Sequence, residues 1–175
     1  QQGGSFENLA GGTFRLWGGD AVVGGSVTNM GTLLMAPDPL APLGGPSRPS
    51  QLHITGTLEN RAGATFTAEG GSLIEVAGGQ LRNRGELTLD SGATRLTLHS
   101  GGSLGNDGGT VRLGSGSRLR IAQDAGSLQQ LSGNLFVAHG ARLEIEPTRE
   151  MDVVGGRVSN EGVIVARSAA RIANS

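Results

Sequence analysis

A short phrase that returns about every 23 residues constrains the fold of this chain more than any other feature. An aliphatic residue or Phe is followed two positions later by Asn and then by Gly, as in Leu81-Arg82-Asn83-Arg84-Gly85. The anchor is Asn at positions 8, 29, 60, 83, 106 and 160 and Gln at position 130. The intervals between successive anchors indicate a constant repeat of about 23 residues, with two insertions that lengthen the second and the last interval.

Each repeat has the pattern of three short strands separated by turns. Between residues 80 and 102 apolar and polar residues alternate, with Gly-containing turns between the runs; the apolar positions are Leu81, Leu87, Leu89, Leu96 and Leu98. One such repeat cannot bury an apolar face alone, but stacked repeats can, because each strand pairs in parallel with its equivalent in the next repeat. The sequence therefore predicts an all-β fold, a right-handed parallel β-helix (solenoid) of about seven coils. The handedness follows from the usual sense of parallel crossovers.

The repeated Asn is explained by a structural role at the corner between two strands. Asn tolerates left-handed backbone geometry, and its side-chain amide bonds to nearby backbone or to the equivalent Asn of the next coil. We therefore expect a structural Asn ladder formed by Asn29, Asn60, Asn83, Asn106 and Asn160.

Residues 1–175 are interpreted as a single β-helix segment with a Pro-rich loop inserted at 35–51. Five of the six prolines lie in that stretch, and Pro cannot donate a hydrogen bond within a sheet. A smaller break is predicted at 146–153, around Pro147. Neither end has an amphipathic cap, so we expect the coils to continue in a longer parent chain or to meet other copies.

Composition excludes several classes of protein. The chain has no Cys, which rules out a disulfide framework and a Cys-based zinc site. Its 14 Arg and 15 acidic residues give a net charge of −1, which does not suit a nucleic-acid partner. Since no apolar run approaches the ~18 residues of a transmembrane helix, we also predict no membrane span.

One column of charge is the candidate binding site. Arg95, Arg118 and Arg142 follow one another at the spacing of the repeat, and each precedes Leu. In a stacked spiral they form an outward column with neighbours about 5 Å apart. Either the column is a solvated face whose charge is relieved by nearby acids, or it binds an anionic ligand such as a sulfated glycan or phosphate.

We predict no catalytic, cofactor-binding or metal-binding residues. His53, His99 and His139 lie about two coils from one another, which is too far for shared ligation of a metal ion. The aspartates fall at different phases of the repeat, so no pair of catalytic carboxylates can be assembled. We therefore expect a protein that is not an enzyme and needs no cofactor.

The phrase Gly79-Gln80-Leu81-Arg82-Asn83-Arg84-Gly85-Glu86-Leu87-Thr88-Leu89 resembles the repeats of filamentous-haemagglutinin-like exoproteins of two-partner secretion, and autotransporter passengers look similar. The resemblance covers roughly residues 5–166 and transfers no functional residue. It implies a secreted or cell-surface, extracellular bacterial adhesin, whose rigid rod presents loops and ladders to host or bacterial surface glycans or proteins. The uncapped ends, rather than the resemblance, suggest that such rods associate end to end. The alternatives are a carbohydrate-active β-helix enzyme (polysaccharide lyase or hydrolase) and a phage fibre segment.

Overall fold

The chain folds into a parallel β-solenoid whose strands belong to three sheets. The computed structural model describes residues 4–39, 48–90, 92–147, 149–154, 156–167 and 170–174. These residues contain 22 strands and no helix. Seven consecutive sets of three strands, each set forming one coil, are followed by β22 (Arg171–Asn174). The predicted all-β solenoid is confirmed, while its right-handed sense stays a prediction.

The three sheets run the length of the solenoid, and each takes one strand from every coil. Sheet A consists of β1 (Ser5–Asn8), β4 (Ser26–Asn29), β7 (Thr57–Asn60), β10 (Gln80–Asn83), β13 (Ser103–Asp107), β16 (Leu128–Leu131), β19 (Glu150–Val154) and β22. Sheet B consists of β2 (Thr13–Trp17), β5 (Thr32–Ala36), β8 (Thr65–Ala68), β11 (Glu86–Leu89), β14 (Thr110–Leu113), β17 (Asn134–Val137) and β20 (Arg157–Asn160). Sheet C consists of β3 (Asp20–Val23), β6 (Gln51–Ile54), β9 (Leu73–Ala77), β12 (Arg95–His99), β15 (Arg118–Ile121), β18 (Arg142–Ile145) and β21 (Val163–Ala166).

Equivalent residues of neighbouring coils lie directly beside one another. Leu81 of β10, for example, pairs with Leu58 below and Leu104 above. Because neighbouring strands are about 4.8 Å apart, each side chain packs on its counterpart one coil away. The inward positions are mainly aliphatic and fully buried, and each such burial contributes roughly 1.5–3 kcal/mol.

The Asn side chains form a buried hydrogen-bonded ladder at the corner between sheets A and B. Asn8 Nδ2 donates to Asn29 Oδ1 at 2.7 Å, and the same contact joins Asn29 to Asn60, Asn60 to Asn83 and Asn83 to Asn106 at 2.8 Å each. Each Nδ2 group also donates to the carbonyl oxygen of the first residue of a sheet B strand in the next coil. The ladder therefore ties each coil to the next inside the protein, where an unmade hydrogen bond would be costly.

The prediction that Asn160 belongs to this ladder is wrong. Asn160 ends β20 in sheet B, in register with Val137, and it is exposed. The ladder position continues instead at residues 130, 153 and 174. The long interval from 130 to 160 is therefore one full coil, from 130 to 153, plus the short step from a sheet A position to a sheet B position. The same local phrase suits both corners, because Asn160 Oδ1 accepts the N–H of Gly162 at 3.2 Å.

The predicted break at 146–153 is wrong for residues 150–153, which belong to a strand. Glu150–Val154 forms β19, which pairs with β16 on one side and β22 on the other. Met151 and Val153 are buried in the core. Pro147 lies just before this strand, in the corner that leads into it, so it removes no hydrogen bond from the sheet.

The Pro-rich insertion is real but shorter than 35–51. Met35 and Ala36 belong to β5, with Met35 fully buried, and Gln51 begins β6. The insertion thus connects sheet B to sheet C through residues 37–50, of which 40–47 lie outside the described residues. At its base the Asp38 N–H donates to the Arg48 carbonyl oxygen at 3.4 Å.

Glycine occupies corners where one coil passes over the backbone of another. At Gly102 an added Cβ would lie less than 3.0 Å from the carbonyl oxygen of Val76, and at Gly85 it would meet the carbonyl oxygens of Arg61 and Ala64 equally closely. Neither residue has a positive φ, so close approach of coils, rather than backbone conformation, excludes a side chain there.

A second buried polar column, which the repeat phrase did not predict, lies at the corner between sheets B and C. It consists of the hydroxyl residues immediately before successive sheet C strands: Ser50, Ser72, Thr94 and Ser117. The Ser72 hydroxyl donates to the Glu69 carbonyl oxygen at 2.5 Å, and the Ser117 hydroxyl to that of Gly114 at 2.6 Å. A Ser or Thr that recurs at intervals of one coil, just before the four successive sheet C strands β6, β9, β12 and β15, is the sequence signal that identifies this column.

Candidate functional site

The outward face of sheet C places the three predicted arginines in one column. Arg95 lies beside Arg118, and Arg118 lies beside Arg142, in paired strands. The residue after each arginine is a fully buried Leu, so the alternation of the strand directs the guanidinium groups outward. The spacing of about 4.8 Å between strands brings like charges close together. We call these three residues the Arg column.

A buried carboxylate relieves the charge at one end of the Arg column. Glu144 is only 7% exposed in its side chain, although it points outward from β18. Its Oε1 lies 2.5 Å from Arg142 Nε and 3.9 Å from Arg118 Nε. The contact with Arg142 is ionic without good hydrogen-bond geometry, since that Nε has no hydrogen-bond partner in the structure described. The alternative of a charge-relieved face therefore applies to this end of the column.

Arg95 at the other end differs from its two neighbours. Its partner in β9 is Leu73, and within the described ranges no acidic side chain lies within ion-pair distance of its guanidinium. A second cluster on the same face joins Glu146 to Arg120 at 3.1 Å and to Arg167 at 3.4 Å. The excess of positive charge on this face is thus concentrated around Arg95 and Arg118.

A polar groove lies beside the Arg column, where sheet C turns towards sheet A. Its volume is about 710 Å³, and its lining residues are Glu75, Thr97, His99, Arg120, Ala122, Gln123, Asp124 and Arg149. The corner of the fifth coil spans residues 122–127, whereas the equivalent corners of the second to fourth coils are 55–56, 78–79 and 100–102. Residues 122–124 of this longer corner line the groove.

Three side chains along this groove are joined by hydrogen bonds. The Ser100 hydroxyl donates to Asp124 Oδ2 at 3.3 Å and lies 3.1 Å from His99 Nδ1. Because the hydroxyl proton is used towards Asp124, its oxygen accepts from Nδ1–H, which assigns this tautomer to neutral His99. The Nε2 atom of His99 is then an acceptor. Ser100 adopts φ 50°, a left-handed conformation that is uncommon for Ser. Strained backbone conformations of this kind often occur at functional sites.

The surroundings of Asp124 favour its ionised form. The backbone N–H of Ser100 is the main cause that lowers the pKa of Asp124, with further contributions from the backbone N–H of Asp124 itself, the Ser100 hydroxyl and the charge of His99. Burial opposes this shift. The order Ser, His and Asp is not that of a hydrolase triad, since here the hydroxyl lies between the imidazole and the carboxylate.

The three histidines are separated in the structure. His53 and His99 both lie in sheet C, two coils apart, and His53 Nδ1 contacts Glu75 Oε2 at 2.8 Å. His139 lies at the corner between sheets B and C, after β17. Among the residues described, no three His, Asp or Glu side chains are grouped so as to hold a metal ion.

The groove is the feature that sequence reasoning missed. His99, Asp124 and Arg149 fall at different phases of the repeat, and they meet because the corners 122–127 and 146–149 are both longer than the corners 55–56, 78–79 and 100–102 of the earlier coils. The sequence carries one signal of this groove, which is the unequal number of residues between each sheet C strand and the sheet A strand that follows it.

Comparison with known proteins gives no relative for this chain. No family model matches it, and neither the curated proteins nor the solved structures contain a significant match. The part of the chain that the structure describes has no helix with the length and hydrophobicity to cross a membrane. The chain is therefore characterised by its architecture, a three-sheet parallel β-solenoid.

Proposed function

We propose that this chain is a rigid, non-enzymatic rod segment of a secreted or cell-surface bacterial exoprotein of the filamentous-haemagglutinin-like kind. The observation that supports it best is the shared register of the three sheets, which aligns outward side chains of successive coils into ladders. An extended ligand meets the same chemistry about every 4.8 Å along such a surface.

The interior suits a mechanical role. The core is a continuous stack of aliphatic side chains, and the Asn ladder joins five successive coils through buried hydrogen bonds. Bending the rod would separate coils and expose both sets of contacts, so bending is opposed by hydrophobic burial and by hydrogen bonding together.

The proposed contact surface is the Arg column, and its proposed ligand is an anionic surface group such as a sulfated glycan or phosphate. Arg95 and Arg118 present planar guanidinium groups that bind sulfate or phosphate through paired N–H donors. The partial relief of Arg118 by Glu144 at 3.9 Å leaves Arg95 as the strongest determinant of binding.

Replacing Arg95 with Glu is expected to weaken binding to a heparin-type resin about tenfold, because it removes one charge-assisted contact and adds repulsion. The measurement is the salt concentration at which the protein elutes. Arg82→Glu is the matched control, since Arg82 is an exposed Arg on sheet A whose guanidinium bonds to Gln80.

If Arg95→Glu and Arg82→Glu lost retention on the resin equally, the effect would be explained by net charge. That result would contradict the Arg column as the binding site. Release of oligosaccharide or of an unsaturated product from any glycan tested would contradict the non-enzymatic role and favour the lyase or hydrolase alternative. A stable trimer in solution would favour the phage-fibre alternative.

End-to-end association is part of the proposal and is supported by the first coil. The inward residues Phe6 and Phe14 pack edge to face at 5.4 Å and remain 45% and 38% exposed. With Leu16, Leu33 and Leu58 they line an apolar cavity of about 170 Å³. Contact with an end of another copy would cover this surface and pair the free edge of β1.

Light scattering of the unaltered chain is expected to rise with concentration, and Phe6→Ser is expected to reduce that rise by removing apolar surface at the contact. Trp17→Ser is the control, because Trp17 belongs to the same coil, is 48% exposed, lies on the outward side of sheet B and does not line this cavity. Scattering that is independent of concentration, or equally reduced by both substitutions, would contradict end-to-end association.

A further inference from the structure

The groove beside the Arg column differs from it in charge. Its two guanidinium groups, on Arg120 and Arg149, are matched by the carboxylates of Glu75 and Asp124. A groove of balanced charge does not favour a polyanion over other ligands, whereas a column of arginines does. The groove therefore fits a ligand that offers one negative charge together with neutral polar groups.

Each of the two guanidinium groups is held through its Nε atom. Arg120 Nε binds Glu146 Oε1 at 3.1 Å, and Arg149 Nε donates to the backbone carbonyl oxygen of Gln123. In both cases the contact uses Nε, and within the described residues no contact uses the terminal nitrogens. Each guanidinium is thus held at one edge while its paired terminal N–H groups remain available to a carboxylate.

The other side of the groove offers acceptors. The Ser100 hydroxyl orients Asp124, and His99 presents Nε2 as an acceptor when neutral. Glu75 uses Oε2 towards His53, which leaves Oε1 for a ligand. Hydroxyl groups are the donors that match such a set, because a neutral O–H needs no counter-charge.

We propose that this groove binds a carboxylate-bearing sugar of the uronic-acid class, with the carboxylate on Arg120 and Arg149 and the ring hydroxyls on Asp124, His99 and Glu75. The site goes beyond the proposed function, because it is separate from the Arg column and recognises a different ligand chemistry. Its volume of about 710 Å³ accommodates one or two sugar units. Binding involves no bond cleavage.

The test is titration of the full chain with galacturonate, which carries one carboxylate, followed by NMR shifts and calorimetry. Galacturonate is expected to bind and to shift the His99 ring signals, whereas neutral galactose, which lacks the carboxylate, and acetate, which lacks the hydroxyls, are expected to bind at least tenfold more weakly. Arg149→Ala and Asp124→Asn are each expected to weaken galacturonate binding about tenfold, by removing one charge-assisted contact. Arg82→Ala, on sheet A, is expected to leave it unchanged.

Binding of acetate as strong as that of galacturonate would overturn the proposal, since it would show simple ion pairing. Absence of galacturonate binding, or equal binding by Arg149→Ala and the unaltered chain, would also overturn it. Arg95→Glu is expected to lose resin retention while it keeps galacturonate binding, so failure of the Arg column and failure of the groove are distinguishable. An unsaturated product from polygalacturonate would contradict both the binding without cleavage proposed for the groove and the non-enzymatic part of the proposed function.

Discussion

Replacing Asn83 with Asp is expected to destabilise the protein by about 4 kcal/mol at neutral pH, although the two side chains have nearly the same shape. Asn83 Nδ2 donates to Asn106 Oδ1 at 2.8 Å and to the Thr110 carbonyl oxygen at 2.9 Å, and the side chain is fully buried. A carboxylate oxygen in its place would face these acceptors without a proton to share. The measurement is the midpoint of urea-induced unfolding, followed by circular dichroism.

The loss of stability caused by Asn83→Asp is expected to be smaller at acidic pH. Burial and the facing acceptors raise the pKa of the introduced carboxyl in the folded state, so its unfavourable effect is absent below its ordinary value of about 3.9 and grows as pH rises through the raised value. Protonation restores one donor to the ladder. Asn160→Asp is the matched control, because Asn160 is exposed and outside the ladder. Equal effects of the two substitutions, or a loss at position 83 that does not depend on pH, would contradict the ladder as a source of stability.

Replacing Gly102 with Ala is expected to cost about 3 kcal/mol or more, which is the upper range for inserting one methyl group into a packed interior. The new Cβ would overlap the carbonyl oxygen of Val76 in the coil below, and that oxygen cannot move without disturbing the sheet. The change should lower the urea midpoint and leave the overall spectrum of the folded state β-rich.

Gly105→Ala provides the control for Gly102→Ala. Gly105 lies three residues further along, faces outward from sheet A, and has nothing within 4 Å of an added Cβ. Because its φ is not positive, this substitution is expected to be neutral or slightly stabilising. A loss of stability at position 105 as large as that at position 102 would contradict steric exclusion between coils as the reason for glycine.

The register of the solenoid was predictable because its cause is local in sequence and repeated. Residues 60, 83 and 106 each need an inward amide at a corner, and their constant spacing aligns the strands around them. The prediction failed where the same phrase serves another corner, as at Asn160. Spacing alone cannot distinguish an insertion from a change of sheet, whereas the inward Met151 and Val153 mark β19 as a strand in its own right.

The candidate site was predictable only in part. The alignment of Arg95, Arg118 and Arg142 follows from the period of the repeat, so the sequence was sufficient for it. The groove depends on the lengths of two corners and on the left-handed conformation of Ser100, neither of which follows from periodicity. The choice of Glu144 as the acid that relieves the column likewise depends on side-chain packing within one face.

The side-chain amides of the Asn ladder all donate in the same sense, from Asn8 through to Asn106. Their dipoles therefore add along the rod axis and polarise one another, as peptide groups do in a helix. A rod built in this way has a direction: separation of two coils within the ladder leaves an open carbonyl on one fragment and an open amide N–H on the other.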